Sequence, residues 1–408
     1  MHGEGAGRER RRLRVLGRVT GLASLGVAVL PLAAHASERD DTRARPFTVV
    51  LERVLHGDLV MAANSNLLSA GGWDMAASSV ADVDGDRSVL CVRRRSFDAA
   101  CADNSSSAAL DIPSGARVVH ARLYVETSLS TSAGPLRVRL AGPGAAFDYT
   151  VLGAATRGVP KLYESTAAIS SRAVLRQAVW DVTRFVNRRG SGRYTVADIV
   201  SERATAYLPY ASWAVVAAYE LDPAAKIREL APEQRPRFAR RAVSWHDGFM
   251  LSSVHVGSVA AAESSVVPGD AVYAKSLHLV ANARQGEPDN LLFNGRPLGN
   301  NLTPGDRAPP PGVTVAGDRS CNSTTDVFND TICVLGAPVA TKRPGSARYL
   351  ASGDGTTRSS GSAVDIDVIR IPDRYLVAGS VNSVLSVRTV SDDPMAVGVL
   401  AISADLGH

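Results

Sequence analysis

The feature that most restricts how this chain can fold is a series of short segments rich in β-branched and apolar residues, each closed by turn-forming residues. Residues 47–54, 118–127, 136–140, 194–200, 213–219, 272–281, 364–371, 381–390 and 397–403 read as strands. Glycine, proline, asparagine and aspartate gather between them, as in Asp84-Gly85, Gly142-Pro143-Gly144, Asn294-Gly295 and Asp354-Gly355. Strands punctuated in this way argue for stacked or closed antiparallel sheets and against a βαβ layout. Helical spacing is confined to 170–182, through Arg172, Leu175 and Val179, and to the charged, proline-bearing stretch 223–240.

The N-terminus reads as an export signal. Arg8, Arg10, Arg11, Arg12, Arg14 and Arg18 precede an uncharged stretch at 19–32, and Ala34-His35-Ala36 supplies a small-x-small cleavage site. This pattern predicts removal of residues 1–36. Removing its six arginines and two glutamates from 45 basic and 40 acidic residues leaves 39 and 38, so the mature chain is nearly neutral. A nucleic-acid partner, which needs a clustered basic face, is therefore not expected. No stretch after the leader is apolar enough to span a bilayer. The scarcity of lysine (Lys161, Lys226, Lys275 and Lys342) beside abundant arginine and alanine suggests a high-GC, actinobacterial-type genome.

About 370 mature residues exceed what one hydrophobic core usually supports. The expected class is all-β: two tandem antiparallel β-sandwich, jelly-roll-like domains at 46–222 and 241–408. A polar leader at 37–45 precedes them, and 223–240 is a charged connector or inserted loop. An internal repeat supports this division. Asp181-Val182 recurs as Asp367-Val368 at an offset of 186, and Glu220-Leu221 recurs as Asp405-Leu406 at 185. The four cysteines fall into two close pairs, Cys91 with Cys101 and Cys321 with Cys333, without zinc-ligand spacing. In an exported chain these read as two local disulfides.

Catalytic motifs are absent from the sequence. Gly190-Ser191-Gly192 is too tight for a nucleophile elbow and reads as a turn into the strand at Tyr194. The eight histidines form no H-E-x-x-H, and there is no phosphate-binding loop. Asp365, Asp367, Glu220 and Asp247 are the nominees for a glycosidase carboxylate pair, although sequence spacing does not place two on one face. Asp82, Asp84 and Asp86 alternate around Gly85 and are the candidate calcium ligands, without the glutamate that closes an EF-hand loop. Trp73 and Trp245 lie beside turns and are the candidate ligand-stacking aromatics, whereas Trp213 sits in an apolar strand and reads as core.

Several phrases resemble the N-terminal β-sandwich region of exported bacterial surface proteins, the region that often precedes conserved tandem repeats of unknown function. They are Gly57-Asp58-Leu59-Val60-Met61, Asn104-Ser105-Ser106-Ser107-Ala108, Ile112-Pro113-Ser114-Gly115-Ala116, Asp181-Val182-Thr183, Tyr210-Ala211-Ser212-Trp213, Asp247-Gly248-Phe249 and Phe293-Asn294-Gly295. The repeat array and a wall anchor are missing here, as is a tryptophan after Tyr124. The resemblance implies a secreted or surface-exposed protein. It is expected to be non-enzymatic, acting in extracellular recognition or adhesion, or serving as an envelope component, with an extracellular or envelope partner. The alternatives are a calcium-assisted carbohydrate-binding module and, after it, a secreted glycoside hydrolase.

Overall fold

The computed structural model describes residues 44–68, 79–80, 104–144, 149–153, 156–168, 173–201, 211–252, 259–264, 273–283, 288–299, 321–322, 327–329, 331–338, 350–351, 358–359, 364–376, 382–390 and 394–406. The expected signal peptide lies outside them, as do Trp73, the Asp82, Asp84 and Asp86 cluster, and the Cys91–Cys101 pair.

The protein is all-β. Its first set of strands is β1 (Arg45–Ser65), β2 (Leu67–Leu68), β3 (Ser79–Val80), β4 (Ser105–Leu110), β5 (Ala116–Ser130) and β6 (Val138–Ala141). It continues with β7 (Tyr149–Leu152), β8 (Lys161–Ala168), β9 (Ala173–Asp181), helix α1 (Thr183–Arg189), β10 (Gly192–Ala197) and β11 (Ala211–Leu221). The second set is β12 (Arg240–Ser252), β13 (Val259–Ser264), β14 (Tyr273–Ala281), β15 (Asn290–Phe293), β16 (Arg296–Pro297) and β17 (Ile332–Val334). It ends with β18 (Ala337–Pro338), β19 (Leu350–Ala351), β20 (Arg358–Ser359), β21 (Val364–Ile371), β22 (Ser383–Arg388) and β23 (Met395–Asp405).

Eleven strands form one sheet in the order β18-β17-β21-β14-β23-β12-β1-β11-β5-β9-β8, flanked by four-stranded sheets β4-β10-β6-β7 and β13-β22-β15-β16. The two sets follow the same path. In the large sheet β1-β11-β5-β9 matches β12-β23-β14-β21, and the small sheets match strand for strand. Strand β1 belongs to both sets. Its residues 45–56 pair with β12, and from Gly57 onward it pairs with β11. At that change of partner a Cβ on Gly57 would lie 1.8 Å from the Tyr219 carbonyl oxygen, so only glycine lets the strands close.

The central strands are buried on both faces. In β23, Leu400, Ile402 and Ala404 join Leu291, Phe293 and Leu385 of the second small sheet, while Val399 and Ala401 join the cluster that holds Tyr124, Trp180 and Trp245. Two-sided burial also accounts for a misread element. Residues 173–181 form β9 and not a helix, because apolar residues on both faces erase the period-two signal and leave a spacing that mimics a helical stripe. The helix starts only at Thr183, after Asp181 Oδ1 has accepted the Thr183 N–H at 2.9 Å. Gly190 and Gly192, both at positive φ, then carry the chain from α1 into β10, so this turn joins a helix to a strand.

The stretch 223–240 holds two short 3-10 turns, Ile227–Glu229 and Arg235–Phe238, in place of a helix. Arg241 fastens it to the sheet by donating to the carbonyls of Pro236 and Arg237, and the Tyr219 hydroxyl donates to Arg237 O at 3.2 Å. This stretch joins β11 to β12. The described residues from Ala44 to Leu406 belong to one compact unit.

Three buried acids lie where the sets meet. Asp247 of β12 accepts hydrogen bonds from Arg45, Arg122, Tyr124 and Tyr163. Asp58 of β1 accepts from Lys275 at 2.8 Å and Ser403 at 2.6 Å, with Arg241 3.9 Å away. Glu126 takes a 2.7 Å bond from Gln177 and faces Gly398, where any Cβ would fall 2.4 Å from Glu126 Oε1. Burial opposes ionisation of all three acids. The arginines hold Asp247 below its ordinary value, and Lys275 with Arg241 does the same for Asp58. Among the described residues Glu126 has only Gln177 to counter burial and is pushed up to about 8.

Candidate functional site

Asp365 and Asp367 are two apart on β21, so the strand's alternation points both to one face. Register then brings in a third group. On neighbouring β14, His278 sits directly opposite Asp367, and its Nε2 lies 2.6 Å from Asp365 Oδ1 and 3.9 Å from Asp367 Oδ2. All three side chains are fully buried.

The segment carrying Asn329 to Cys333 closes this cluster. The backbone N–H groups of Asn329 and Thr331 donate to Asp365 Oδ2 at 3.0 and 3.3 Å, and the Cys333 N–H donates to Asp367 Oδ1. Thr331 Oγ1 lies 3.1 Å from Asp367 Oδ2 and 3.2 Å from Asn322 Oδ1. β17 runs parallel to β21 with Cys333 opposite Asp367. The disulfide Cys321–Cys333, with Cα atoms 6.2 Å apart across 12 residues, pins this segment as its spacing predicted. Each carboxylate thus has one oxygen fixed by backbone and the other turned toward the imidazole.

Electrostatics sets the cluster apart from the paired acids of the meeting face. Burial pushes Asp367 well above its usual range, and Asp365 beside it adds to the rise. His278 is driven down to about 4 by burial, against the opposing pull of Asp367. Two buried carboxylates this close resist ionising together unless a positive charge joins them.

The other nominated acids are elsewhere. Glu220 pairs with Arg53 and Arg117, both about half exposed at 45% and 50%. Asp247 is saturated by its arginines and tyrosines. Trp245 requires correction as a stacking residue. It lies inside β12, fully buried, 5.4 Å from the His120 ring and 6.4 Å from that of Tyr124, so neither face is open to a ligand. Trp213 is core, as read, and its indole N–H donates to Ser106 Oγ at 2.8 Å. His278 escaped the sequence reading because it is 87 residues from Asp365 and nothing before strand pairing joins them.

No family model, curated protein or solved structure matches this chain. Among the described residues no helix is long and apolar enough to cross a membrane.

Proposed function

We propose that this chain is an exported, non-enzymatic protein of the cell surface or extracellular space, acting through recognition of an extracellular or envelope component or as an envelope component itself. The Cys321–Cys333 disulfide carries this reading, because such bonds persist in oxidising compartments and are rare in the cytosol. The basic, apolar leader ending at Ala36 supports it independently. The repeated strand order supports reading each set as a jelly-roll-like sandwich, a scaffold whose end loops present binding residues. The carboxylates nominated for hydrolysis also favour recognition over turnover, since Asp365, Asp367 and Asp247 are closed off from solvent.

Fractionation of the producing cells into cytoplasm, wall and medium, followed by N-terminal sequencing and thiol labelling without reductant, tests the proposal. The expected result is chain beginning at Ser37 in the wall or medium, with Cys321 and Cys333 unreactive. Cytoplasmic protein with an intact leader and labelled cysteines would overturn it.

A further inference from the structure

We propose that His278, Asp365 and Asp367 form a binding site for one divalent cation of the zinc class, which ties Thr331 and β17 to β14 and β21. One atom from each side chain lies within 4.8 Å of the other two, and all three groups are buried.

The repeat supplies an observation independent of that geometry. Glu220 opposite Gly57 and Asp405 opposite Arg241 mark equivalent points of the two sets. Counting inward from them, the cross-strand row Ala62, Val215, Leu123, Trp180 corresponds to His246, Leu400, His278, Asp367. One rung further, Ala178 occupies the place of Asp365. The same scaffold thus closes its first interior with leucine, tryptophan and alanine, all fully buried. Histidine and two aspartates in the second are not a requirement of the fold. Burying them without a compensating charge is costly.

The imidazole adds a second observation. Among the described residues His278 Nδ1 is buried without a hydrogen-bond partner, and the ring meets Phe328 edge-on at 5.2 Å. Among the described residues no hydrogen bond at Nδ1 orients the ring, so its aim at the carboxylates follows from what Nε2 engages.

The donors select the ion. One imidazole nitrogen and two carboxylate oxygens, with Thr331 Oγ1 beside Asp367, suit zinc or a related first-row cation in a small coordination shell. Calcium prefers six to eight oxygens and no nitrogen. Two ionised carboxylates also balance the ion's charge. Binding therefore competes with protonation and weakens in acid.

The test uses the exported full chain, dialysed against metal-free buffer and then titrated with zinc and with cobalt. Expected are uptake of about one zinc per chain by elemental analysis and visible d–d absorption of the cobalt form. A melting temperature about 5 °C higher with zinc than with chelator is also expected. His278→Gln keeps a polar ring-sized side chain, and it should abolish the cobalt spectrum while keeping the all-β circular dichroism signal. If that variant fails to fold, Asp365→Asn provides the same readout. A wild-type chain that takes up neither ion, or a folded variant that keeps the cobalt spectrum, overturns the site. Neither outcome bears on localisation, so this inference and the proposed function fail separately.

Discussion

The two strand sets trace one path through space yet fill one set of equivalent rungs with opposite chemistry. In the first, Leu123, Trp180 and Ala178 make these rungs apolar, and Trp180 satisfies its single donor on Gly153 O at 3.2 Å. In the second, the same rungs bear His278, Asp367 and Asp365, held by backbone amides of a disulfide-pinned segment. The difference teaches that strand order fixes where side chains meet but not what they are. A duplicated path leaves one copy free to acquire polar groups, provided that something else supplies closure. In the second set the disulfide and the amides of Asn329, Thr331 and Cys333 do so.

The sharpest way to break the comparison is to strike each interior in turn. Trp180→Ala should cost about 3–5 kcal/mol, since it empties a large, fully buried site. Urea unfolding followed by circular dichroism measures it, and a loss under about 1 kcal/mol would show that the first interior does not depend on this ring. Asp247→Ala, at the face where the sets meet, should cost a similar 3–5 kcal/mol by stranding Arg45 and Arg122 around an empty centre. Hydrogen exchange should then rise in both sets together; a rise in one alone would mean that they are not coupled through this residue.

Next in size is the paired replacement Cys321→Ser with Cys333→Ser. Opening a loop of 12 residues should remove about 3 kcal/mol. Exchange of the Thr331 and Cys333 amides should speed up while that of β5 and β9 stays slow. The smallest effect belongs to Glu126, whose carboxyl is raised to about 8 by burial and faces Gln177, Ser212 and Gly398. A raised folded-state value favours the protonated acid, so its contribution is complete below the ordinary carboxylate range and declines as pH climbs toward 8. Between about pH 6 and 7 the wild type should lose about 1 kcal/mol that Glu126→Gln does not lose. Parallel curves for the two proteins would show that Glu126 is not the titrating group.

Much of this architecture was legible in the residues. Alternating β-branched segments located β5, β11, β14, β21 and β23, and the spacing of Cys321 and Cys333 identified their bond. Gly115 takes the positive φ expected of the turn at 112–116, and Asp181 bonds to the Thr183 amide as read. The repeat was visible too, but with a slip. The closing pair, Glu220 and Asp405, aligns at 185 in the ladder as it does in sequence, whereas Asp367 takes the place of Trp180 and not that of Asp181. The β5–β11 ladder shifts by one between Ala218 and Tyr219, and a shift of one residue exchanges the two faces of a strand. The candidate site stayed hidden for a related reason. Asp365 and Asp367 share a face by strand periodicity alone, but His278 reaches them only through a register that no local pattern encodes. Trp245 misled in the opposite direction, since its neighbours His246-Asp247-Gly248 look like a turn and are strand.

Strand β1 carries a final consequence. Because its residues 45–56 cover β12 before the rest joins β11, a fragment starting at 241 would present β12 as a bare edge, with a row of unpaired amides and carbonyls. Whatever its ancestry, the duplicated unit is no longer a cassette that can be excised, reshuffled or expressed by itself. Anyone dissecting the protein by truncation should expect insoluble material from the C-terminal piece unless the opening strand travels with it.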